Sequence, residues 1–231
     1  MRRALLLAAL LAAVPAFAAD KMHGGQTFHY AEVELDYARD GGTDLLNWEG
    51  QGWIGTDMDK FWVKSEGERS GGALEQAEVQ FLYGRNVWQF FDVQAGVRID
   101  AEPDRRGYLT LGVQGLAPYV LDTQAHVFLG EKGDVHLRFR QLFNVLMTNR
   151  LIVSPLVETD FYLTDAPERG VGAGFSRIET GVQMRYEVRR KFAPYVAVIY
   201  DRKLGATARN ARAAGEDVGG WSVRGGVRLW F

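Results

Sequence analysis

The stretch Arg177-Ile178-Glu179-Thr180-Gly181-Val182-Gln183-Met184-Arg185-Tyr186-Glu187-Val188-Arg189 reads as two interleaved sequences. Ile178, Thr180, Val182, Met184, Tyr186 and Val188 share one parity, while Arg177, Glu179, Gln183, Arg185, Glu187 and Arg189 share the other. A period of two is the spacing at which successive side chains of an extended strand leave opposite faces. The stretch therefore predicts one long strand with an apolar face and a charged face.

Working outward, the pattern recurs. Ala31, Val33, Leu35 and Tyr37 alternate with Glu32, Glu34 and Asp36, and Phe91, Val93, Ala95, Val97 and Ile99 alternate with Asp92, Gln94, Arg98 and Asp100. A soluble sandwich alternates as well, so length separates the two cases. Stretches this long exceed the about five or six residues usual in a soluble sheet and suit a strand tilted across a bilayer. Trp53, Trp62, Trp88, Trp221 and Trp230 lie near segment ends, where an interfacial girdle would hold them. Strands are expected near 27–39, 44–55, 58–67, 73–86, 88–101, 107–118, 119–130, 133–146, 149–163, 175–190, 191–204 and 220–231. The fold class is all-β: a closed antiparallel transmembrane β-barrel of about twelve strands, with ten as the nearest alternative.

The links support this count. Every second one is tight: Thr56 to Met58, Asn86 to Val87, the Pro118 corner, Met147 to Thr148, and Arg190 to Lys191. With a periplasmic N-terminus these are periplasmic turns. The longer links, Gly67 to Gly72, Ala101 to Arg106, Thr164 to Gly174 and Gly205 to Gly219, are rich in Gly and charge and fall outside the cell. An even count returns the last strand to the periplasmic side. There Trp230 and Phe231, with Val227 and Leu229 on the face of Phe231, look like the terminal signal read by the barrel-assembly machinery of the outer membrane.

Composition agrees with an exported barrel. The chain has 231 residues, 47% hydrophobic and 24% charged, and contains no apolar run long enough for a spanning helix once its first residues are set aside. Those first residues read as a secretion signal: Arg2 and Arg3, an aliphatic stretch from Ala4 to Val14, and the small-residue pattern Ala16-Phe17-Ala18. The expected division is a signal peptide over 1–18, a short periplasmic segment over 19–26 and an outer-membrane barrel over 27–231. Loss of Arg2 and Arg3 takes the formal charge from −2 to −4, which gives no reason to expect nucleic acid as a partner. With no cysteine, neither a disulfide nor a thiolate metal site is available.

Several segments resemble the copper resistance protein B (CopB) family of bacterial outer-membrane proteins. They are Trp53-Ile54-Gly55 with Asp57 and Lys60, the run Lys64-Ser65-Glu66-Gly67-Glu68, Ala95-Gly96-Val97-Arg98, Gly115-Leu116-Ala117-Pro118-Tyr119 and Thr148-Asn149-Arg150-Leu151. The likeness continues through Arg185 to Tyr195, Thr207-Ala208, Ala211-Arg212 and Gly215-Glu216. It implies an outer-membrane role in copper homeostasis, with copper ions as a weakly bound ligand and a periplasmic copper protein as a further partner. Family members often carry a longer N-terminal segment rich in Met and His, where this chain has Met22-His23-Gly24-Gly25.

Copper ligands without thiolate are imidazole and thioether, so the search falls on His and Met. His126 shares its parity with Asp122 and Gln124, and His136 shares its own with Arg138 and Arg140, so both imidazoles should face the lumen. A three-residue loop between them would pair 126 with 136 directly, and a five-residue loop would make them diagonal neighbours. Either way they are the expected metal site, completed by an acidic side chain or water and weakening as pH falls through about 6.5. Met22, His23 and His29 are expected to form a separate periplasmic collection point. The bland alternative is a pair of solvated lumen histidines.

The lumen is also expected to hold both signs of charge, with carboxylates such as Glu66, Glu78, Glu158 and Asp160 facing Arg98, Arg138, Arg140, Arg150, Arg177, Arg185, Arg189, Arg224 and Arg228. Most of these should form structural ion pairs. The reading is a non-enzyme. The alternatives are an outer-membrane hydrolase, for which Ser154 is the nearest serine to either histidine, and a structural barrel without a ligand.

Overall fold

The computed structural model describes residues 26–40 and 42–231, so the expected signal peptide, Met22 and His23 lie outside the described residues. The strands are β1 (Phe28–Asp40), β2 (Thr43–Gly55), β3 (Asp59–Ser70), β4 (Ala73–Trp88), β5 (Phe91–Glu102), β6 (Arg106–Ala117) and β7 (Leu121–Gly130). They continue with β8 (Val135–Phe143), β9 (Val145–Leu146), β10 (Leu151–Tyr162), β11 (Gly174–Tyr186), β12 (Phe192–Lys203) and β13 (Gly219–Trp230). Each pairs antiparallel with its neighbours in sequence, and β13 closes the ring on β1 with Glu32 opposite Trp230. Segments β8 and β9 share one register against β10, interrupted only at Asn144, and count as a single barrel strand. The result is a closed twelve-stranded meander.

Alternation decides which way each side chain points. On β5 the burial pattern alternates along most of the strand, with Val93, Val97 and Ile99 outside and Asp92, Gln94, Arg98 and Asp100 inside. The outer surface is thus a band of exposed apolar groups, among them Phe81, Leu109, Leu111, Val182, Met184, Val196 and Val198. The buried interior is largely polar. That inversion of the usual globular arrangement places the apolar side in lipid and lets the closed ladder satisfy the backbone, as a membrane requires.

The start of β1, the C-terminus and the tight turns 56–58, 89–90, 118–120, 147–150 and 187–191 gather at one end, which by the rule for such barrels is the periplasmic one. Arg150 and Arg189, assigned by parity to the lumen, are exposed in these turns. At the other end only two links are long: 163–173 between β10 and β11, and 204–218 between β12 and β13. The second contains a helix, α1 (Gly205–Ala214), where the sequence reading expected only a loop. Alanine richness favours the helix, its buried face is Thr207, Ala208 and Ala211, and Gly215 ends it in left-handed backbone at φ 78°. A ten-residue helix packed by so small a face leaves little hydrophobic periodicity to detect.

The aromatic girdle also needs a correction. Trp88 and Trp221 lie outside and exposed, but Trp53, Trp62 and Trp230 turn inward and line the lumen. Their parity with Gln51, Lys64 and Glu32 carries them there. Nearness to a strand end is therefore a weaker guide to orientation than alternation.

Candidate functional site

Moving from the extracellular end inward, the first structure is a lid. Arg169, at the tip of the 163–173 link, reaches down to donate from Nη1 to Tyr108 Oη and from Nη2 to Asp100 Oδ2, both at 2.8 Å. Its neighbour Glu168 pairs with Arg106 and with Lys132, the latter at 2.8 Å. Asp104 receives Arg106 at 2.9 Å and Lys132 at 3.4 Å. Helix α1 braces the same link: Asn210 Nδ2 donates to the Gly170 carbonyl at 3.1 Å, and Gly172 N donates to Thr207 Oγ1 at 3.1 Å. These groups lie outside the membrane. The hydrogen bonds from Arg106 to Asp104 and from Lys132 to Glu168 hold both carboxyls below their ordinary range.

Below the lid, a belt of ion pairs crosses the lumen. Arg138 of β8 stands within 3.2 Å of Glu66, 3.3 Å of Glu78, 3.7 Å of Glu158 and 3.3 Å of Asp160. Arg98 of β5 holds Glu78 at 2.7 Å and Asp100 at 2.6 Å, and all three are nearly fully buried. Arg140 pairs with Glu49 and approaches Glu158 at 3.8 Å. Like charges facing one another, such as Glu49 and Glu66 or Glu66 and Glu78 on adjacent strands, are tolerated because an arginine reaches them. The expectation of structural ion-pair networks holds for this region. Within the belt a cavity of about 40 Å³, bordered by His126, Gln80 and Glu66, has room for a water or a small ion.

Both histidines face the lumen, and both are buried. The five-residue loop is the one realised: His126 sits opposite Arg138 and His136 opposite Phe128, so the imidazoles are diagonal neighbours. Phe128 stacks on both, at 6.0 Å from His126 and 5.1 Å from His136, and Tyr162 covers the far face of His136 at 4.4 Å. The phenyl ring thus stands between the two imidazoles. Among the described residues no three His, Asp or Glu side chains converge in a geometry ready for a metal ion. Each imidazole has one nitrogen engaged by oxygen: His136 Nε2 with Asp160 Oδ1 at 2.6 Å, and His126 Nε2 with Gln94 Oε1 at 2.8 Å. A carboxylate or amide oxygen only accepts, so Nε2 is the donor in each ring, and in the neutral imidazole this leaves the lone pair on Nδ1. Gly112, opposite His126, makes room for that ring, because a Cβ there would collide with it. His29 lies apart from both, exposed on the outer parity of β1 near the periplasmic end.

The periplasmic half is different. There the lumen widens to a cavity of about 450 Å³ walled by Trp53, Trp62, Trp230 and Tyr30 and by Gln51, Gln114 and Gln124. Arg140, Arg185, Arg228, Glu32, Glu49, Asp122 and Glu187 also face it. Ser154, raised as a possible nucleophile, is buried in the adjoining wall; its Oγ donates to Asn144 Oδ1 at 2.8 Å and receives Arg185 Nη1 at 3.4 Å. Its hydrogen bonds are to neither a histidine nor a carboxylate, so the base that serine catalysis requires is not beside it.

A closed antiparallel barrel with an apolar outer band, charged interior and long links at one end defines a bacterial outer-membrane β-barrel protein. Solved porins share the fold: NanC porin superposes with a TM-score of 0.59 at 12% identity, covering 86% of this chain and 98% of that one. KdgM porin in complex with disordered oligogalacturonate gives 0.50 at 12%, covering 87% and 99%. Residues 27–231 match the family model described as copper resistance protein B precursor (CopB), and the chain belongs to that family. Copper resistance protein B of Escherichia coli is 40% identical over 199 residues, 86% of this chain and 67% of that protein. The copper resistance protein B homolog of Pseudomonas syringae pathovar tomato is 42% identical over 201 residues, 87% and 68%. The resemblance read from the sequence is the family found.

Proposed function

We propose that this chain supports copper resistance by binding copper ions in its lumen and passing them across the outer membrane as cargo. The observation that carries the reading is the hydrogen bonding of the two lumen histidines. Each donates Nε2–H to an oxygen, which in the neutral ring leaves Nδ1 to ligate, the arrangement in which metal-ligating imidazoles are commonly held. Because Phe128 separates them, they serve as two successive one-imidazole stations rather than as one two-imidazole site. Asp160 supports the outer station, and the carboxylates of the belt supplement the inner one. One imidazole per station means weak binding and ready exchange, which suits passage better than storage. Met22, His23 and His29 remain the proposed periplasmic collection point, from which a periplasmic copper protein would take or deliver the ion.

The test replaces His126 and His136 with Gln, singly and together, and measures copper bound per folded barrel and survival in copper. Each single variant should lose part of the bound copper and the double variant most of it, with lower survival. Parental stoichiometry and survival in the double variant would remove both residues from the path. Binding by the parent should also weaken in acid, since a protonated imidazole cannot ligate.

Assembly is proposed to depend on Phe231. Its backbone closes the ring, exchanging hydrogen bonds with Ala31 at 3.2 and 2.8 Å, and its side chain is exposed on the lipid parity. Deleting it should lower the folded, heat-modifiable barrel in the outer membrane while export across the inner membrane continues. Unchanged folded protein would argue against the signal.

A further inference from the structure

Inward-facing arginines in this barrel are paired almost without exception. Arg98, Arg106, Arg138, Arg140, Arg177, Arg224 and Arg228 each have a carboxylate within 4.0 Å. Arg185 has none among the described residues, although only 8% of it is exposed. Its guanidinium is held by neutral oxygens: Nη1 donates to Asn144 Oδ1 at 2.9 Å and to Ser154 Oγ at 3.4 Å. Asn144 and Ser154 face each other across adjacent strands, and their own 2.8 Å hydrogen bond fixes the acceptor in place. Burying a charge without a counter-ion is costly, so a fixed guanidinium without one is poised for an anion that arrives from outside.

The same cavity carries unpaired charge of the other sign. Glu32 and Glu49 are occupied by Arg228 and Arg140, whereas Asp122 and Glu187 enter no ion pair among the described residues. A site with one free guanidinium, two free carboxylates and aromatic walls is complementary to a molecule bearing one carboxylate, one ammonium and an apolar body. We propose that the periplasmic vestibule binds small zwitterions of the amino-acid or short-peptide class. The carboxylate sits on Arg185, the ammonium faces Asp122 and Glu187, and the body lies against Trp53, Trp62 and Trp230. The volume of about 450 Å³ admits a molecule of that size.

The test uses the mature barrel folded in detergent micelles and stripped of metal with a chelator, so that its outcome is independent of copper. L-alanyl-L-alanine, L-alanine, acetate and ethylamine are titrated at equal ionic strength, with tryptophan emission and calorimetry as readouts. The dipeptide or the amino acid should bind saturably, and acetate and ethylamine about tenfold or more weaker, because each lacks one charged hydrogen-bonding group. Arg185→Gln should cost the zwitterion a similar factor. Asp122→Asn with Glu187→Gln should weaken the zwitterion and leave acetate unchanged. If Arg185→Gln does not fold, the carboxylate-side pair alone decides, since neither side chain holds an ion pair. No saturable zwitterion binding, or equal binding by a charge-neutralised variant, would overturn the proposal.

Discussion

Arg138 and Arg185 both point into the lumen, one from β8 and the other from β11, and they meet opposite surroundings. Arg138 stands among four carboxylates, and Arg185 rests on an amide and a hydroxyl at the edge of an open cavity. The difference divides the barrel along its axis. The extracellular half is cross-linked by charge from wall to wall and capped by a pinned link; the periplasmic half leaves charges free and space between them. Dense ion pairing belongs to the first half, and open space with unpaired charge to the second.

The largest effect expected from breaking this contrast is on stability. Arg138→Met leaves Glu66, Glu78, Glu158 and Asp160 facing one another in a buried space, and removal of one partner from such a network costs about 3–5 kcal/mol. Arg185→Met strands no carboxylate and should cost clearly less. Unfolding of the two variants in urea, followed by the mobility shift of the folded barrel, checks the ordering. Equal destabilisation would mean that the two halves are not energetically distinct.

A smaller effect is expected at the lid. Arg169→Ala removes the hydrogen bonds to Asp100 and Tyr108, and bonds to charged groups are worth about 1.5–3 kcal/mol, so the mouth should open about tenfold more often or beyond. Single-channel recording in planar bilayers reads this directly, as does hydrogen exchange of residues 163–173. An unchanged opening frequency would show that α1 and the Glu168 ion pairs hold the link without Arg169.

The smallest effect is that of pH on the same lid. Glu168 and Asp104 have carboxyls depressed by Lys132 and Arg106, so their contribution is fully present above the ordinary carboxylate range and is lost as pH falls through the depressed values. The lid should therefore stay latched at neutral pH and loosen only below about pH 4, with salt acting in the same direction because both carboxyls are exposed. Opening that rose already near pH 6.5 would show that the two carboxyls are not the latch.

Much of this molecule was legible in alternation. The period of two from Arg177 to Tyr186 settled the strand, its two faces and the side on which Arg185 lies, although it overran the strand's end at Arg189, and the same rule placed His126 and His136 inside. Strand orientation is local: each residue's direction follows from its neighbour's, so no long-range information is needed. Parity also held the correct reading of Trp53, Trp62 and Trp230, which nearness to strand ends obscured. What alternation could not supply was contact across the lumen. Glu66 and Glu78 meet Arg138 only because the ring closes, and Phe128 comes between the histidines only because the five-residue loop sets that register. Arg185 reads in the sequence like any other inward arginine. Its lack of a carboxylate partner among the described residues is a property of the closed barrel, because the distance between charges on separate strands depends on the whole circumference and not on any single segment.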